Sequence, residues 1–121
     1  MALDDQRAHR FAEKWYAAWN SHDLDAILDH YTDEVEMASP LVSRLTGRDD
    51  GRIVGKDALS AYFAAGLERY PDLHFEPIEL FVGVDGLVVH YRSAGGNLAA
   101  EVVFLDSREK ITRYLAHYTQ P

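Results

Sequence analysis

Residues 87–118 read LVVHYRSAGGNLAAEVVFLDSREKITRYLAHY, and this stretch decides the fold. Its β-branched and aromatic residues form three runs separated by Gly95-Gly96 and by Ser107-Arg108. Such runs with short turns between them predict antiparallel strands. A similar run at 73–84 precedes them, joined by the turn residues Asp85-Gly86. The C-terminal half is therefore predicted to be a four-stranded meander with strands at 73–84, 87–94, 97–106 and 109–118.

The N-terminal half has the spacing of helices instead. Apolar residues recur three and four positions apart in residues 4–20, in the segment from Leu24 to Tyr31, and again in residues 56–70. This periodicity predicts three amphipathic helices. The third is predicted to end at Pro71, whose ring cannot continue a helix.

Between the second and third helices, a short strand is predicted at 35–39. Its apolar and polar residues alternate, and Pro40 follows, which cannot donate to a ladder of hydrogen bonds. A loop rich in Arg, Asp and Gly is predicted from there to about Gly51, and a brief strand at 52–55.

The composition excludes several classes of function. Twelve Lys and Arg against 20 Asp and Glu give a net charge of −8, so neither nucleic acid nor a membrane surface is an expected partner. No cysteine is present, and no apolar run approaches the roughly 20 residues of a membrane span. The polar N-terminus lacks a signal-peptide core, and a cytoplasmic location is expected. The His residues are scattered and no Gly-rich phosphate loop is present, so neither a metal nor a cofactor is expected.

The turns also predict which side chains meet on the sheet. With Gly95-Gly96 as a two-residue turn, His90 lies opposite Glu101. With Ser107-Arg108 as the next turn, Tyr114 lies opposite Glu101 on its other side. Because side chains alternate between the two faces of a strand, these three residues are predicted to form one row on one face.

The two faces predicted from this register differ in polarity. The face with the row is mixed and includes Phe81, Val88, Arg92, Ala99, Val103, Thr112, Ala116 and Tyr118. The other face is more apolar and carries Ile78, Leu80, Val82, Leu87, Val89, Tyr91, Ala100, Val102, Phe104, Ile111, Leu115 and His117. Either the apolar face packs on the helices and the row lies in water, or the helices cover the mixed face incompletely and leave a polar-lined pocket. Periodicity does not choose between these arrangements.

The order of these elements resembles the SnoaL-like, nuclear transport factor 2-like superfamily over residues 1–121. Three short phrases also resemble it: WNSHDLDAI at 19–27, IVGK at 53–56 and AAEVV at 99–103. The resemblance implies a single α+β domain, a cone with three N-terminal helices packed on a curved, mixed, mostly antiparallel sheet of the cystatin-like type. In that family the concave face lines a pocket and the convex face commonly forms a dimer interface. The resemblance therefore favours the second arrangement.

Ketosteroid isomerase and polyketide cyclases share this fold. The isomerase uses a carboxylate base before a Pro at the end of the first strand, with a Tyr and a protonated Asp on the oxyanion. By resemblance, Ser39 takes the position of that base, Glu101 that of the Asp, and Trp15 lies near the position of the Tyr. Steroid isomerisation is therefore not expected, since a serine has no basicity of its own near neutral pH.

The candidate site is built around Glu101. Burial would raise its pKa and let it act as an acid and a base, with His90 as its partner and Tyr114 as a hydrogen-bond donor. The predicted pocket lining is Trp15, Trp19, Met37, Ser39, Arg44, Tyr62, Phe63, Val88, Ala99, Val103 and Tyr118. Structural explanations are also open. Glu101 and His90 would form an exposed cross-strand pair, the aromatic residues would belong to the core, and Arg44 would lie in a solvated loop.

The leading hypothesis is a cofactor-independent, isomerase- or cyclase-type enzyme that transfers protons on a small, mainly apolar carbonyl compound. The alternative is a non-catalytic ligand-binding or dimerisation module. We also predict a homodimer through the apolar sheet face, because so large an apolar surface is rarely left in water.

Overall fold

The computed structural model describes residues 2–120, which form an α+β fold with one open, six-stranded sheet. The helices are α1 (Asp5–Ser21), α2 (Leu24–Leu28), α3 (Pro40–Thr46) and α4 (Lys56–Arg69). The strands are β1 (Tyr31–Ala38), β2 (Arg52–Val54), β3 (Glu76–Val82), β4 (Gly86–Arg92), β5 (Leu98–Leu105) and β6 (Ile111–Tyr118).

The sheet is mixed, as predicted. Its strand order is β2-β1-β6-β5-β4-β3. β1 and β6 run parallel, and every other neighbouring pair of these strands is antiparallel. The predicted meander is confirmed in β3 to β6, and the parallel pairing places the end of β1 beside the middle of β6.

Helix α1 begins and ends with polar caps. The side chain of Asp4 accepts a hydrogen bond from the Arg7 backbone N–H at 2.8 Å, which satisfies a donor that the helix itself leaves free. At the other end, His22 adopts a left-handed conformation with φ of 61° and donates its backbone N–H to Trp19. One side of the helix is buried, and its members are Ala8, Phe11, Ala12, Trp15, Tyr16, Ala18 and Trp19.

Helix α3 corrects the prediction of a loop after Pro40. Ser39 caps this helix by accepting a hydrogen bond from the Leu41 N–H at 3.2 Å, and Pro40 stands in the first turn, where its missing donor costs nothing. The helix ends at Gly47, whose φ is 77°. The Ser-Pro pair is a helix-start signal that the alternation of the preceding strand obscured. That strand also begins at Tyr31, which the prediction had assigned to the second helix.

The loop between β4 and β5 corrects the predicted register of these strands. It is longer than a two-residue turn: Ser93 donates its N–H to the Asn97 carbonyl at 2.7 Å, with a 3-10 turn at Ala94–Gly96. His90 consequently pairs with Ala100 and not with Glu101. Since a shift of one residue moves a side chain to the other face, the predicted row of His90 and Glu101 is wrong.

The next hairpin also differs from the prediction, but with a smaller consequence. The Asp106 N–H donates to the Lys110 carbonyl, and Glu109 takes a left-handed φ of 60°. Tyr114 therefore pairs with Val103, and Glu101 pairs with Ala116. Because Tyr114 is displaced by two residues, it stays on the same face as Glu101, although not directly opposite it.

The two sheet faces now have different members from those predicted. We call them the helix-facing side, which is buried, and the open side. Leu87, Val89 and Tyr91 belong to the helix-facing side, whereas Val88, His90 and Arg92 belong to the open side, and this exchange corrects the prediction for β4. The helix-facing side comprises Leu87, Val89, Tyr91, Ala99, Glu101, Val103, Tyr114, Ala116 and Tyr118.

The open side retains an apolar row across four strands. Phe81 pairs with Val88, Val88 with Val102, and Val102 with Leu115. Phe81 is 52% exposed, and the other three are half-buried. Beside this row, Ala100 lies between His90 and His117.

Candidate functional site

A cavity of about 170 Å³ lies between the helices and the helix-facing side of the sheet. Side chains from α1, β1, α3, α4 and strands β4 to β6 line it, so distant parts of the chain meet here. The lining residues are Trp19, Met37, Ser39, Leu41, Arg44, Leu45, Tyr62, Phe63, Gly66, Tyr70, Leu73, Phe75, Tyr91, Ser93, Asn97, Glu101, Tyr114, Ala116 and Tyr118.

Glu101 is the acidic residue of this cavity. It lies on β5 between Val89 and Ala116 and is only 6% exposed. Burial removes water from the carboxylate and raises its pKa from 4.5 to about 7. Within residues 2–120, Glu101 forms no salt bridge. Both its protonated and its ionised forms are therefore available close to neutral pH.

Tyr91 is the hydrogen-bond partner of Glu101. Its hydroxyl donates to Oε2 of the carboxylate, and this bond favours the ionised form and partly offsets the effect of burial on the pKa. Sequence reasoning missed Tyr91 because it placed that side chain on the opposite face. Counting Ser93–Asn97 as a five-residue loop, which the two glycines allow, would have identified it.

Several tyrosine hydroxyls lie near Glu101 and remain protonated. Burial raises the pKa of Tyr91 and Tyr114 well above 10, and the nearby charge of Glu101 raises both further. For Tyr62, burial raises the pKa to about 12. Tyr118 shows the same upward direction with burial as the first cause. At neutral pH these side chains can therefore donate hydrogen bonds to an oxygen atom in the cavity.

Ser39 lies at the rim between β1 and α3. It is buried, and its hydroxyl oxygen already accepts a hydrogen bond as the cap of α3. Interaction with Ser39 favours the ionised forms of Tyr62 and Tyr118, which opposes the effect of burial on their pKa. Ser39 therefore connects the end of β1 with two tyrosines of the cavity, Tyr62 and Tyr118.

Aromatic side chains form one wall of the cavity. The ring centroids of Trp19 lie 4.7 Å from Phe63 and 5.2 Å from Phe75. Phe75 in turn lies 4.3 Å from Tyr91. Asn20 holds the Phe75 backbone in place, accepting from its N–H at 2.7 Å and donating to its carbonyl at 3.0 Å. This wall is continuous up to the residue that contacts Glu101.

The sequence-predicted site residues divide into three groups. Those that line the cavity are Trp19, Met37, Ser39, Arg44, Tyr62, Phe63, Glu101, Tyr114 and Tyr118. Trp15, Ala99 and Val103 are buried in the core. His90 and Val88 lie on the open side, which corrects their predicted place in the pocket.

Trp15 acts through a neighbour in that core. Its indole N–H donates to the Tyr31 hydroxyl at 3.1 Å. Burial raises the pKa of Tyr31, and the charge of Glu101 raises it further. Trp15 also contacts the cavity residue Tyr91 edge-on, with ring centroids 5.8 Å apart, and does not itself line the cavity.

Two further features bear on the kind of site. No group of three His, Asp or Glu side chains in residues 2–120 comes together as a metal site would require. Over the same residues, no helix combines the length and apolar character needed to cross a membrane.

The open mixed sheet with helices on one side defines an α+β protein of the cystatin-like, nuclear transport factor 2-like class. The family model of the SnoaL-like domain matches residues 12–119. The chain therefore belongs to the SnoaL-like family. No curated protein matches it.

Solved structures are similar over nearly the whole chain. A SnoaL-like protein of unknown function from Burkholderia thailandensis is 43% identical and covers 98% of this chain and 99% of its own, with a TM-score of 0.94. A protein from Agrobacterium tumefaciens, proposed to be a SnoaL-like isomerase, is 15% identical over 93% of this chain and 97% of its own, with a TM-score of 0.74.

A third similar structure is SalBIII, described as an epoxide hydrolase/cyclase-like enzyme in pyran ring formation in the polyether salinomycin. It is 20% identical over 95% of this chain and 92% of its own, with a TM-score of 0.75. At such identities, the isomerase and cyclase relatives share the fold with this protein, and the reactions named for them are those of the relatives alone.

Proposed function

We propose that this protein is a cofactor-independent enzyme that transfers a proton on a small, mainly apolar carbonyl compound, in an isomerisation or a cyclisation. The observation that carries the proposal is a buried carboxyl, Glu101, in an apolar cavity with tyrosine hydroxyls around it. A pKa of about 7 suits a group that must both accept and return a proton near neutral pH.

In this mechanism the ionised Glu101 takes a proton from the carbon next to the substrate carbonyl. The electron pair of that C–H bond forms a C=C bond with the carbonyl carbon, and the π electrons of the carbonyl move to its oxygen, which gives an enolate. Tyr114 and Tyr118 line the same cavity and donate hydrogen bonds to that oxygen. Glu101, now protonated, then returns the proton to the α-carbon or, where the substrate has a C=C bond conjugated with the enolate, to the far carbon of that bond, which moves the double bond. Tyr91 takes the supporting role that the sequence had suggested for His90, because its hydroxyl holds the carboxylate in place.

Proton exchange tests this mechanism without knowledge of the natural substrate. Aromatic, terpenoid and polyketide-like ketones would first be screened for an increase in melting temperature, since a ligand that binds only the native state stabilises it. For each binder, NMR in D₂O then follows loss of the α-proton signal. We expect catalysed exchange with the wild-type protein and background exchange with Glu101→Gln. Full exchange by a folded Glu101→Gln variant would refute the role of Glu101.

A non-catalytic ligand carrier is the second candidate. The observation in its favour is that Ser39 already serves as a helix cap. By resemblance, Ser39 takes the position of the base of ketosteroid isomerase, and a serine has no basicity of its own near neutral pH. A carrier predicts ligands that raise the melting temperature and never undergo exchange. The same experiment therefore separates the two functions.

We also propose that the protein forms a homodimer through the open side of the sheet. The apolar row Phe81, Val88, Val102 and Leu115 supports this, since it crosses four strands and Phe81 is 52% exposed. Leu87, Val89 and Tyr91, which the sequence had assigned to this interface, belong to the core instead. Sedimentation as a stable monomer at micromolar concentration would refute the dimer.

A further inference from the structure

The two charged side chains of the cavity lining are of opposite sign and differ in burial. Among the described lining residues, Glu101 and Arg44 are the charged ones, and they occupy different places. Arg44 lies on α3 and is exposed, whereas Glu101 is buried on β5 in contact with Tyr91. No Lys, Arg or His in residues 2–120 forms a salt bridge with Glu101. When ionised, this carboxylate is a buried charge whose partner within the chain is a neutral hydroxyl.

A buried charge of this kind is costly unless a counter-charge approaches it. The aromatic wall beside Glu101 suits such a counter-charge. Tyr91, which contacts the carboxylate through its hydroxyl, has its ring 4.3 Å from Phe75, and Phe75 lies 5.2 Å from Trp19, so a chain of aromatic rings leads through the cavity lining to Glu101. Aromatic faces attract cations, most strongly where water is excluded.

We propose that the cavity binds a small organic cation, a protonated or quaternary amine with an apolar or aromatic body, whose charge pairs with Glu101 beside Trp19, Phe75 and Tyr91. This inference goes beyond the proposed function and shares with it only the cavity and Glu101. An ammonium group would supply the positive partner that residues 2–120 do not provide, and an apolar body would fill the remainder of the cavity.

The proposal predicts a definite dependence on pH. The titratable groups that interact with Glu101 from the elements around it are tyrosines: Tyr16, Tyr31, Tyr62, Tyr91, Tyr114 and Tyr118. The other charged group of the cavity lining is Arg44, on the exposed side of α3. The tyrosine pKa values are all raised, so Glu101 is the group of this set that titrates near neutral pH. A permanent cation therefore binds more tightly as Glu101 ionises.

Two probes of the same shape separate the effect of the ligand's charge from the effect of its shape. Phenyltrimethylammonium carries a permanent positive charge, and tert-butylbenzene has the same shape with carbon in place of nitrogen. Affinities for the wild-type protein would be measured by NMR titration at about pH 5.5 and about pH 8. With a pKa of about 7 for Glu101, we expect the cation to bind at least about tenfold more tightly at the higher pH and the hydrocarbon to be unaffected.

Substitution of Glu101 by Gln provides the second arm. It keeps the size of the side chain and removes its charge, so the cation should lose about tenfold or more in affinity at about pH 8 while tert-butylbenzene keeps its affinity. Glu79→Gln, on the exposed part of β3, is the matched control and should change neither. If Glu101→Gln does not fold, the wild-type pH series still decides the matter.

Cation binding that does not change with pH, or that is no tighter than hydrocarbon binding at the higher pH, would overturn the inference. The two proposals fail separately. Ketone exchange without cation binding overturns this inference alone, and cation binding without exchange by any ketone overturns the proposed enzyme alone.

Discussion

The hydroxyl of Tyr91 donates a hydrogen bond to Oε2 of Glu101 across the β4–β5 pair. Tyr91 pairs with Ala99, two residues from Glu101, so the two side chains are diagonal neighbours on the helix-facing side. A phenol and a carboxyl joined in this way form a polar unit inside an apolar cavity.

Tyr91→Phe should raise the pKa of Glu101, because the hydroxyl stabilises the ionised carboxylate. Above the pKa, the lost bond to a charged group should lower the free energy of unfolding by about 2 kcal/mol, and by less when Glu101 is protonated. Carboxyl NMR and urea unfolding at two pH values measure these effects. Tyr16→Phe is the control, since no partner of the buried Tyr16 hydroxyl is found within residues 2–120. Equal losses in both variants would contradict the prediction.

Glu101 should also make the protein less stable as pH rises. The pKa of Glu101 is about 7 in the folded protein, compared with 4.5 for an ordinary glutamate. Between pH 4.5 and about pH 7, the folded state therefore holds more protons than the unfolded state. The free energy of unfolding therefore falls over this interval, by about 3 kcal/mol in total, and is flat above it. Relative to wild type, Glu101→Gln should gain about this amount across the interval. Chemical unfolding at several pH values measures it, and parallel curves for the two proteins would count against it.

His90→Ala should leave ketone proton exchange within about twofold of wild type, because the imidazole points away from the cavity. Tyr91→Phe should instead reduce exchange, since Tyr91 orients the proposed base. The NMR exchange assay compares the two variants under identical conditions. A loss with His90→Ala as large as with Glu101→Gln would show that the open side takes part in the chemistry.

Val102→Lys should dissociate the proposed dimer. Val102 lies in the middle of the apolar row, paired with Val88 on one side and Leu115 on the other, so a lysine there would bring charge into the interface. Analytical ultracentrifugation should show the sedimentation of a monomer. Val84→Lys is the control, because Val84 is 73% exposed in the turn between β3 and β4. Dissociation by both substitutions, or by neither, would argue against this interface.

Much of the fold could be predicted from the sequence because local signals agreed with one another. Helix periodicity placed α1 and α4, and alternation with turn residues placed β3 to β6. The helix α3 was missed because Pro40 was interpreted as the end of a strand and the residues after it as part of a loop rich in Arg, Asp and Gly. Its cap, Ser39 before Pro40, was the available signal.

The site was predicted in part. Glu101 and Tyr114 were placed on the correct face because the error in the second hairpin was an even number of residues. In the first hairpin the register error was one residue, so the prediction placed His90, and not Tyr91, on the same face as Glu101. Turn length depends on backbone conformations that several loop sequences can adopt, and Gly95 and Gly96 permit both a short and a long connection.

The length of the loop from Ser93 to Asn97 therefore determines which residues of β4 lie on the same face as Glu101. Deletion of one residue from this loop would shift the pairing of β4 with β5 by one position. The phenol of Tyr91 would then leave the helix-facing side, and the imidazole of His90 would take its place beside Glu101. A single-codon deletion would thus change the chemistry beside the proposed base while the order of the strands stayed the same. The chemistry of this cavity therefore depends on the length of one connection as well as on the residues of the strands.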